Sequence, residues 1–319
     1  MDTRALGTTG AKISALCMGC WEIGGLAWGP VTGPDAQALV RHAFDAGITT
    51  FDTAEAYGNG RSEVILGRAL QGHRDEVVII TKTGYLPGID GAQMLYAEGG
   101  QPQPQDYSAA SIRRACELSL RRLESTYIDV YLLHDPPMHV VQHEGPFEEL
   151  QRLQAAGKIR WWGVSAQPPV AAEAIRRWGA QVVETPFNAV NPEAARDVFP
   201  VAQEHGAAVL ARSPFASGLL LLSQAEAEQH LPATDWRRNF AADRWARGAV
   251  VRQRLDALAD RRDEPSTETA IRFVLGHVQV STCIVGLAKT EDVAPNLPAA
   301  SPPYLTSAEI AYLTSEGAA

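Results

Sequence analysis

Short apolar runs alternate with amphipathic stretches along most of the chain. The run VVIITK at 77–82 is apolar without alternation until its last residues, as expected of a strand buried on both faces. The stretch 108–124 has apolar residues at helical spacing, with Ser108 as the predicted N-cap. The same patterns predict further strands at 16–19, 48–51, 128–133, 159–165, 182–185, 208–212 and 282–285. They predict further helices at 35–46, 62–72, 146–156, 168–178 and 192–205.

These elements predict a (β/α)8 TIM barrel. Strands that alternate with helices imply parallel pairing through helical crossovers. Eight such strands within 319 residues are typical of a closed barrel, and a doubly wound open sheet is the alternative. Residues 3–18 alternate weakly around a turn at Thr8-Thr9-Gly10 and predict an N-terminal β-hairpin. We expect a single barrel domain over residues 1–319.

Two stretches, 86–107 and 219–250, lack this periodicity and predict long loops. Both follow predicted strands, so in a barrel both lie at the C-terminal face, where barrel enzymes bind their ligands. Loops of this length are usually either functional or disordered, and the aromatic content around Trp236 and Trp245 disfavours disorder. We expect substrate or cofactor contacts from both loops.

Composition narrows the class of protein. The chain is 45% hydrophobic and 20% charged, which is typical of a soluble globular protein. Its net charge of −9 argues against a surface for nucleic acid or anionic membranes. No apolar run is long enough to span a membrane, and residues 1–10 do not resemble a signal peptide. Four cysteines in a chain of this length favour a reducing cytoplasm over a disulfide scaffold.

Several familiar motifs are missing or weak. No G-x-G-x-x-G follows a predicted strand, so the Rossmann fingerprint is absent. The C-x-x-C of Cys17 and Cys20 has no second pair, and residues three apart in a strand point to opposite faces. His139 and His143 follow a Pro-Pro pair and are predicted on an exposed loop. We therefore predict no metal site, and buried small side chains for the cysteines.

Four polar residues stand at or just beyond the C-terminal ends of predicted strands. Asp52, Lys82 and His134 end three of them, and Tyr57 lies five residues past Asp52. In a parallel barrel these ends point to one face, so the four side chains can converge although they are distant in sequence. Alone, each could be a turn cap, an exposed strand end or a rim residue. Together they favour a catalytic site.

Their chemistry is that of carbonyl reduction. A free tyrosine has a pKa of about 10, and a neighbouring ammonium such as Lys82 lowers it. A buried lysine needs a carboxylate, which Asp52 supplies. A neutral His134 can donate a hydrogen bond to a carbonyl oxygen as charge develops there. No side chain delivers hydride, so a nicotinamide cofactor is needed.

With these residues in place, the sequence resembles the aldo-keto reductase superfamily over nearly its whole length. The most specific match is FDTAEAYG at 51–58, and ITK at 80–82, LLH at 132–134 and GVS at 163–165 are others. The resemblance assigns the family's catalytic tetrad to Asp52, Tyr57, Lys82 and His134. It also implies a barrel with an N-terminal hairpin that binds NADP(H) without a Rossmann fold.

The resemblance implies where the cofactor binds. Ser165 would bind the nicotinamide carboxamide, together with Glu184 at a place where the family usually has Gln. Arg212 stands where an aromatic residue commonly stacks on the nicotinamide, and a planar guanidinium can stack similarly. The other contacts implied for this end and the pyrophosphate are Gly19, Trp21, Asp52, Ser213, Pro214, Gly218 and Leu219.

At the adenosine end, the resemblance implies basic residues that hold the 2′-phosphate after the glycine of the eighth strand, Gly286. Lys289 is the only cation in 286–292, and Asp292 sits where Arg or Gln is frequent. Asn296 would contact adenine. We expect NADPH, with relaxed use of NAD(H) as the alternative, because Lys289 can pair with a phosphate whereas Asp292 opposes it.

The substrate pocket is expected beside Tyr57 and His134. Further residues expected at its rim are Trp21, Trp28, Tyr85, Leu86 and the Trp236 region. An aromatic pocket with few polar groups fits a small carbonyl compound. We therefore predict an NADPH-dependent reductase of an aldehyde or ketone, with Tyr57 as general acid. The alternatives are a reductase of a keto-sugar or natural-product intermediate, and a slow cofactor-binding subunit resembling the potassium-channel β-subunits. The oligomeric state stays open.

Overall fold

The first two strands form an antiparallel hairpin ahead of the barrel. The structure is a computed structural model that describes residues 1–25, 31–86, 104–231 and 235–315. Strand β1 (Thr3–Ala5) pairs with β2 (Lys12–Ser14), as predicted. Ser14 bonds to Thr50, where a barrel strand starts, and Leu6 and Ile13 pack against residues inside the barrel. The hairpin therefore covers the end of the barrel from which the strands start.

Eight parallel strands form the closed barrel. They are β3 (Leu16–Gly19), β4 (Thr50–Asp52), β5 (Val78–Thr83), β6 (Ile128–His134), β7 (Ile159–Ser165), β8 (Val182–Pro186), β9 (Ala208–Arg212) and β10 (Val280–Gly286). Each strand pairs with the next along the chain, and β10 pairs back with β3. This order is what parallel strands with helical crossovers produce. The predicted (β/α)8 TIM barrel is confirmed, and the open sheet is wrong.

Helices run between the strands. They are α1 (Gly33–Asp45), α2 (Arg61–Ala69), α3 (Ala109–Arg122), α4 (Met138–Val141), α5 (Gly145–Ala155), α6 (Pro168–Trp178), α7 (Ala194–Asp197), α8 (Phe199–His205), α9 (Gln224–His230), α10 (Ala242–Arg262), α11 (Ser266–Leu275) and α12 (Ser307–Thr314). Ser108 caps α3 by accepting a hydrogen bond from the Ser111 N–H, as the sequence predicts.

The apolar runs of the strands are explained by burial on both faces. In β6, Val130 and Leu132 pack inside the barrel with Leu210, whereas Tyr131 and Leu133 pack in the larger core outside it. Successive residues of a strand point to opposite sides, so a strand enclosed by helices needs apolar residues at every position. Charged side chains therefore lie toward the strand ends, while a few threonines and serines, such as Thr81 and Thr282, are buried within the strands.

The helix predicted at 192–205 is wrong as a single element. The chain forms α7 and α8 instead, and Val198 between them has φ −111°. Pro200 in the first turn of α8 has no N–H to continue the hydrogen bonding of α7, and a proline is best tolerated where a helix begins.

The loop predicted at 219–250 contains helices that periodicity did not identify. Helix α9 starts with a capping box, in which Ser223 and Glu226 bond to each other's backbone N–H. Helix α10 starts at Ala242, and Trp245 and Gly248 are buried on its inner face. Residues 232–234 lie outside the described part of the chain.

Most of the other predicted loop, 86–107, lies outside the described residues, which resume at 104. The N–H of Leu86 bonds to the carbonyl of Pro104, so the two sides of the undescribed stretch lie close together. Among the described residues, no helix combines the length and the apolar character needed to cross a membrane.

Candidate active site

The four residues of the tetrad, Asp52, Tyr57, Lys82 and His134, come together at the C-terminal end of the barrel. Asp52 ends β4 and His134 ends β6, while Lys82 is the penultimate residue of β5 between them. The Lys82 Nζ lies 2.5 Å from Asp52 Oδ1 and 3.4 Å from Tyr57 Oη. A third hydrogen bond, of 3.1 Å, goes to the carbonyl of Thr53. The ammonium thus joins the carboxyl group to the phenol.

Tyr57 is held by the turn that follows β4. Its N–H bonds to the carbonyl of Ala54, and the carboxylate of Glu55 accepts from Thr83 Oγ1 at 2.9 Å and from the N–H of Gly84. Gly58 has φ +64°, and a Cβ there would lie 2.4 Å from the carbonyl oxygen of Gly24. Only glycine permits this approach, which brings the backbone of the turn that carries Tyr57 against Gly24.

His134 packs edge-on against two aromatic rings. The ring centroids are 5.8 Å from Tyr57 and 4.9 Å from Tyr85. Its backbone carbonyl accepts a 2.6 Å hydrogen bond from Tyr107 Oη, and among the described residues its Nδ1 has no hydrogen-bond partner. Burial, reinforced by the charge of Lys82 and opposed by Asp135, lowers the pKa of His134 to about 4. The imidazole is therefore neutral at pH 7, as the sequence argument requires.

The expectation that Lys82 lowers the pKa of Tyr57 needs a correction. Burial raises the pKa of Tyr57 above its ordinary value, and the charge of Lys82 opposes this rise without cancelling it. The nearby carboxyl groups of Asp52 and Glu184 raise it further. In the protein without ligands, Tyr57 is therefore a protonated phenol.

The next three strand ends carry the residues that the resemblance assigns to the nicotinamide. Ser165 Oγ donates a 3.0 Å hydrogen bond to Glu184 Oε1, and the Nε of Arg212 lies 3.8 Å from the same oxygen. Glu184 Oε2 is 3.4 Å from Lys82 Nζ. Ser165 and Glu184 are buried, while Arg212 is partly exposed. These groups lie on β7, β8 and β9, which follow the strands of the tetrad in the order of the barrel.

The loop after β9 has an unusual backbone. Ser213, Ala216, Ser217 and Gly218 all have positive φ, between +50° and +96°. Three of the four are not glycine, and such conformations cost free energy and concentrate at functional sites. Asn188 Nδ2 stabilises the start of the loop by donating to the carbonyl of Ser213. Pro214 and Leu219 of this loop are buried.

The first and last barrel strands meet beside this loop. Gly19 pairs with Gly286, and the N–H of Cys20 bonds to the carbonyl of Asp52. A Cβ on Gly286 would lie 2.1 Å from Glu22 Oε1. Burial raises the pKa of Glu22 to about 8, and its Oε2 has no hydrogen-bond partner among the described residues. Glu22 is a buried acid that the sequence argument missed.

Residues 286–296, where the resemblance places the adenosine end of the cofactor and which we therefore call the adenosine-end loop, are more exposed. Lys289 is exposed, and Asn296 is half-buried. Asp292 Oδ2 accepts hydrogen bonds from the N–H groups of Ala288 and Lys289, both at 3.1 Å, and Asn296 Nδ2 donates to the carbonyl of Asp292. The polar groups of this loop are therefore largely satisfied by one another.

Aromatic side chains surround the tetrad. The centroid of Trp21 lies 6.4 Å from that of Tyr57 and 6.3 Å from that of Trp236. Trp236 belongs to a short 3₁₀ helix, Trp236–Asn239, in the loop that was expected to reach this face. The predicted rim residue Trp28 lies outside the described residues.

Asp135 is a second site residue that sequence reasoning missed. It follows β6 with φ +48°, and its carboxylate lies 4.0 Å from His134 Nε2, 3.3 Å from Tyr85 Oη and 3.6 Å from Arg212. An acid directly after a strand end and before Pro136-Pro137 was the available signal, since such positions face the ligand side of a barrel.

All four cysteines are free and buried, as predicted for Cys17 and Cys20. Burial is the main cause that raises the pKa of both thiols, and the charge of Asp52 adds to it. They are inert packing residues beneath the tetrad rather than nucleophiles.

Comparison with known proteins agrees with this arrangement. The sequence model of the Aldo/keto reductase family matches residues 15–316. The aldo-keto reductase YhdN of Bacillus subtilis (strain 168) is 31% identical over 296 residues, which cover 91% of this chain and 86% of that protein. L-galactose dehydrogenase of Arabidopsis thaliana is 30% identical over 311 residues, covering 94% of this chain and 88% of that protein.

A solved structure is similar over the same extent. The holo form of the aldo-keto reductase AKR11C1 from Bacillus halodurans superposes with a TM-score of 0.78 at 29% identity. The match covers 98% of this chain and 95% of that one. The likeness therefore extends over the barrel and its loops rather than over a local motif.

Proposed function

Because the chain belongs to the aldo/keto reductase family, we propose that it reduces an aldehyde or ketone to the alcohol, with Tyr57 as general acid. Family membership makes it an oxidoreductase. The observation that carries the finer assignment is the contact of Lys82 Nζ with both Asp52 Oδ1, at 2.5 Å, and Tyr57 Oη, at 3.4 Å. The phenol carries the proton to be donated, and the ammonium beside it can stabilise the phenolate as that proton leaves.

The residues around the tetrad fit a nicotinamide cofactor. Ser165 and Glu184 present a hydroxyl and a carboxyl group at neighbouring strand ends, which suits the donors and acceptors of a carboxamide. The strained turn from Ser213 to Gly218 supplies a cradle of backbone beside them. The cofactor, when bound, supplies the hydride. We propose NADPH, since Lys289 offers a cation for a 2′-phosphate, and NADH as the alternative.

The roles of the remaining tetrad members follow from their surroundings. His134 is neutral at pH 7, so an N–H of its ring can donate to a carbonyl oxygen and orient it toward Tyr57. Tyr57 then gives its proton to that oxygen as the alkoxide forms. Asp52 keeps Lys82 charged, which favours the phenolate that remains. The aromatic walls from Trp21 and Trp236 limit the access of water.

We propose a small carbonyl compound as substrate and a cytoplasmic location, the latter because the cysteines are free thiols. A sugar is the second candidate, and the likeness to L-galactose dehydrogenase favours it. A screen of aldehydes, ketones and keto-sugars with NADPH and with NADH separates these candidates. It also measures the cofactor preference.

The variant Tyr57→Phe tests the assignment. We expect it to lower kcat for reduction by about 10²- to 10⁴-fold, because the general acid is removed. The Kd for NADPH, followed by tryptophan fluorescence, should change little. The matched control is Tyr85→Phe, which removes a hydroxyl bonded to Asp135 and should cost far less. Near-normal reduction by Tyr57→Phe would show that the assignment is wrong.

A further inference from the structure

Lys82 faces two carboxyl groups rather than one. Its Nζ lies 2.5 Å from Asp52 Oδ1 and 3.4 Å from Glu184 Oε2. All three residues are at least 96% buried. The ammonium itself is fully enclosed. One carboxylate would be enough to balance its charge, yet two carboxyl groups lie beside it.

Glu184 is held in this position from its other side. Ser165 Oγ donates a 3.0 Å hydrogen bond to Glu184 Oε1, which leaves Oε2 turned toward Lys82. Oε2 has no hydrogen-bond partner among the described residues, although it lies within ion-pairing distance of the ammonium. The contact is therefore electrostatic, and the carboxyl group acts on Lys82 through its charge.

The other ionisable groups around this centre come from several strands of the barrel. Arg212 lies 3.8 Å from Glu184 but also 3.6 Å from Asp135, so its charge is divided between two acids. His134 is neutral. In the described part of the chain, the ionisable groups that face this centre are Cys17 from β3, Cys20 after β3, Asp52 from β4, Tyr57 after β4, Lys82 from β5, His134 and Asp135 at the end of β6, Glu184 from β8 and Arg212 from β9.

We propose that Glu184 is a positioning residue that shares Lys82 with Asp52 and thereby sets the pH range over which Tyr57 donates its proton. The proposal rests on the proposed function, because it concerns the proton that Tyr57 donates in that reaction and adds Glu184 to the four residues of the tetrad. It differs from the role that the resemblance gives to this strand position, which is contact with the carboxamide.

The physical reason is the balance of charge around the phenol. A carboxylate near Tyr57 disfavours the phenolate, and an ammonium favours it. Burial, and after it the charge of Glu184, raises the pKa of Asp52, so the two carboxyl groups act on Lys82 together. With both of them beside one ammonium, Lys82 can do less to draw the proton from Tyr57. The charge of Glu184 also acts directly on Tyr57 and raises the pKa of its phenol. Both effects keep the proton on Tyr57.

The variant Glu184→Gln removes one charge while keeping the shape of the side chain and an oxygen for Ser165. We expect the basic limb of the pH profile for carbonyl reduction to move to lower pH by about one unit. In the reverse direction, Tyr57 must act as phenolate, so alcohol oxidation should become faster at pH 7 to 8. The opposite signs in the two directions distinguish a change in acidity from general structural damage, which would slow both.

A second readout does not need turnover. In the protein without cofactor, the absorbance of tyrosinate near 295 nm, taken as the difference between a protein and its Tyr57→Phe version, follows this phenol alone. Glu184→Gln should lower the pH at which that difference appears, by about one unit. The matched control is Glu149→Gln, a buried carboxylate that pairs with Arg113 on the outside of the barrel. It should leave both the absorbance and the pH profile unchanged.

The outcomes separate this proposal from the proposed function. If Tyr57→Phe abolishes turnover but Glu184→Gln moves neither the pH profile nor the absorbance, the general-acid assignment stands and the role of Glu184 is wrong. If no carbonyl compound is turned over but the absorbance shifts, the electrostatic coupling stands without the proposed reaction. A profile that moves to higher pH would also overturn the proposal.

Discussion

The tetrad and the adenosine-end loop satisfy their polar groups in opposite ways. At the tetrad, buried groups from different strands contact one another, as Lys82 does with Asp52 and Glu184. In the adenosine-end loop, groups only a few residues apart satisfy each other, as Asp292 does with the N–H groups of Ala288 and Lys289. The first arrangement exists only in the closed barrel. The second needs little beyond its own segment.

The difference predicts which properties respond to mutation at each place. Buried ion pairs interact in a medium of low dielectric constant, so changes there alter both stability and the proton step strongly. Exposed charges are screened by solvent, so changes in the loop should alter only the affinity for a charged ligand, and by small factors.

Loss of the ammonium should have the largest effect. Lys82→Met leaves Asp52 and Glu184 buried without the ammonium between them, so we expect the free energy of unfolding at pH 7 to fall by about 3–5 kcal/mol. Reduction should fall by at least about 10²-fold. Chemical denaturation and kcat measure the two effects. The double variant Lys82→Met/Asp52→Asn should recover part of the stability, because one uncompensated charge is removed. No recovery would show that packing, rather than charge, determines the loss.

The buried neutral imidazole should give a pH-dependent stability of intermediate size. The pKa of His134 is about 4 in the folded protein, below its ordinary value of about 6.5. The unfolded chain therefore binds the extra proton first, and stability is lost as the pH falls from about 6.5 to about 4. The loss amounts to at most about 3 kcal/mol. His134→Gln should flatten the dependence of the unfolding free energy on pH in this window, whereas His139→Gln, at an exposed histidine, should not. Equal slopes in all three proteins would contradict the neutral assignment.

The smallest effect is expected in the adenosine-end loop. Asp292→Asn keeps an oxygen for the N–H groups of Ala288 and Lys289 but removes a negative charge beside the only cation of 286–292. The ratio of the Kd values for NADH and NADPH should shift in favour of NADPH by about two- to fivefold. The exposed Glu291 provides the control variant, Glu291→Gln. A shift of equal size in both variants would indicate long-range charge rather than a local contact.

Much of the fold could be predicted because the barrel strands are enclosed. A strand buried on both faces carries an unbroken apolar run, as in β5 and β6, and the predicted runs locate all eight barrel strands. The same logic identified the tetrad, since polar residues at the ends of such runs stand out. Helix α11 was missed although its sequence is amphipathic, and its polar residues Glu268 and Arg272 are buried in an ion pair with each other.

Other features depend on individual residues and contacts, which the spacing of apolar residues does not reveal. The helix over 192–205 splits near Pro200, and α9 begins at a capping box of Ser223 and Glu226 inside a stretch predicted as loop. Glu22 was missed because an isolated acid carries no signal of burial. Glu184 was recognised only as a departure from a family pattern, and its contact with Lys82 depends on the distance between β5 and β8 across the barrel.

The sequence by itself determined the barrel, the hairpin and the membership of Asp52, Tyr57, Lys82 and His134 in one site. These follow from local patterns, since apolar runs specify strands and parallel strands present their ends on one face. The tertiary structure decided the balance of charge at that site. Burial raises the pKa of Tyr57 against the pull of Lys82, and Glu184 adds a second acid to the ammonium. Such balances depend on distances and desolvation between residues far apart in the chain, which no local pattern encodes.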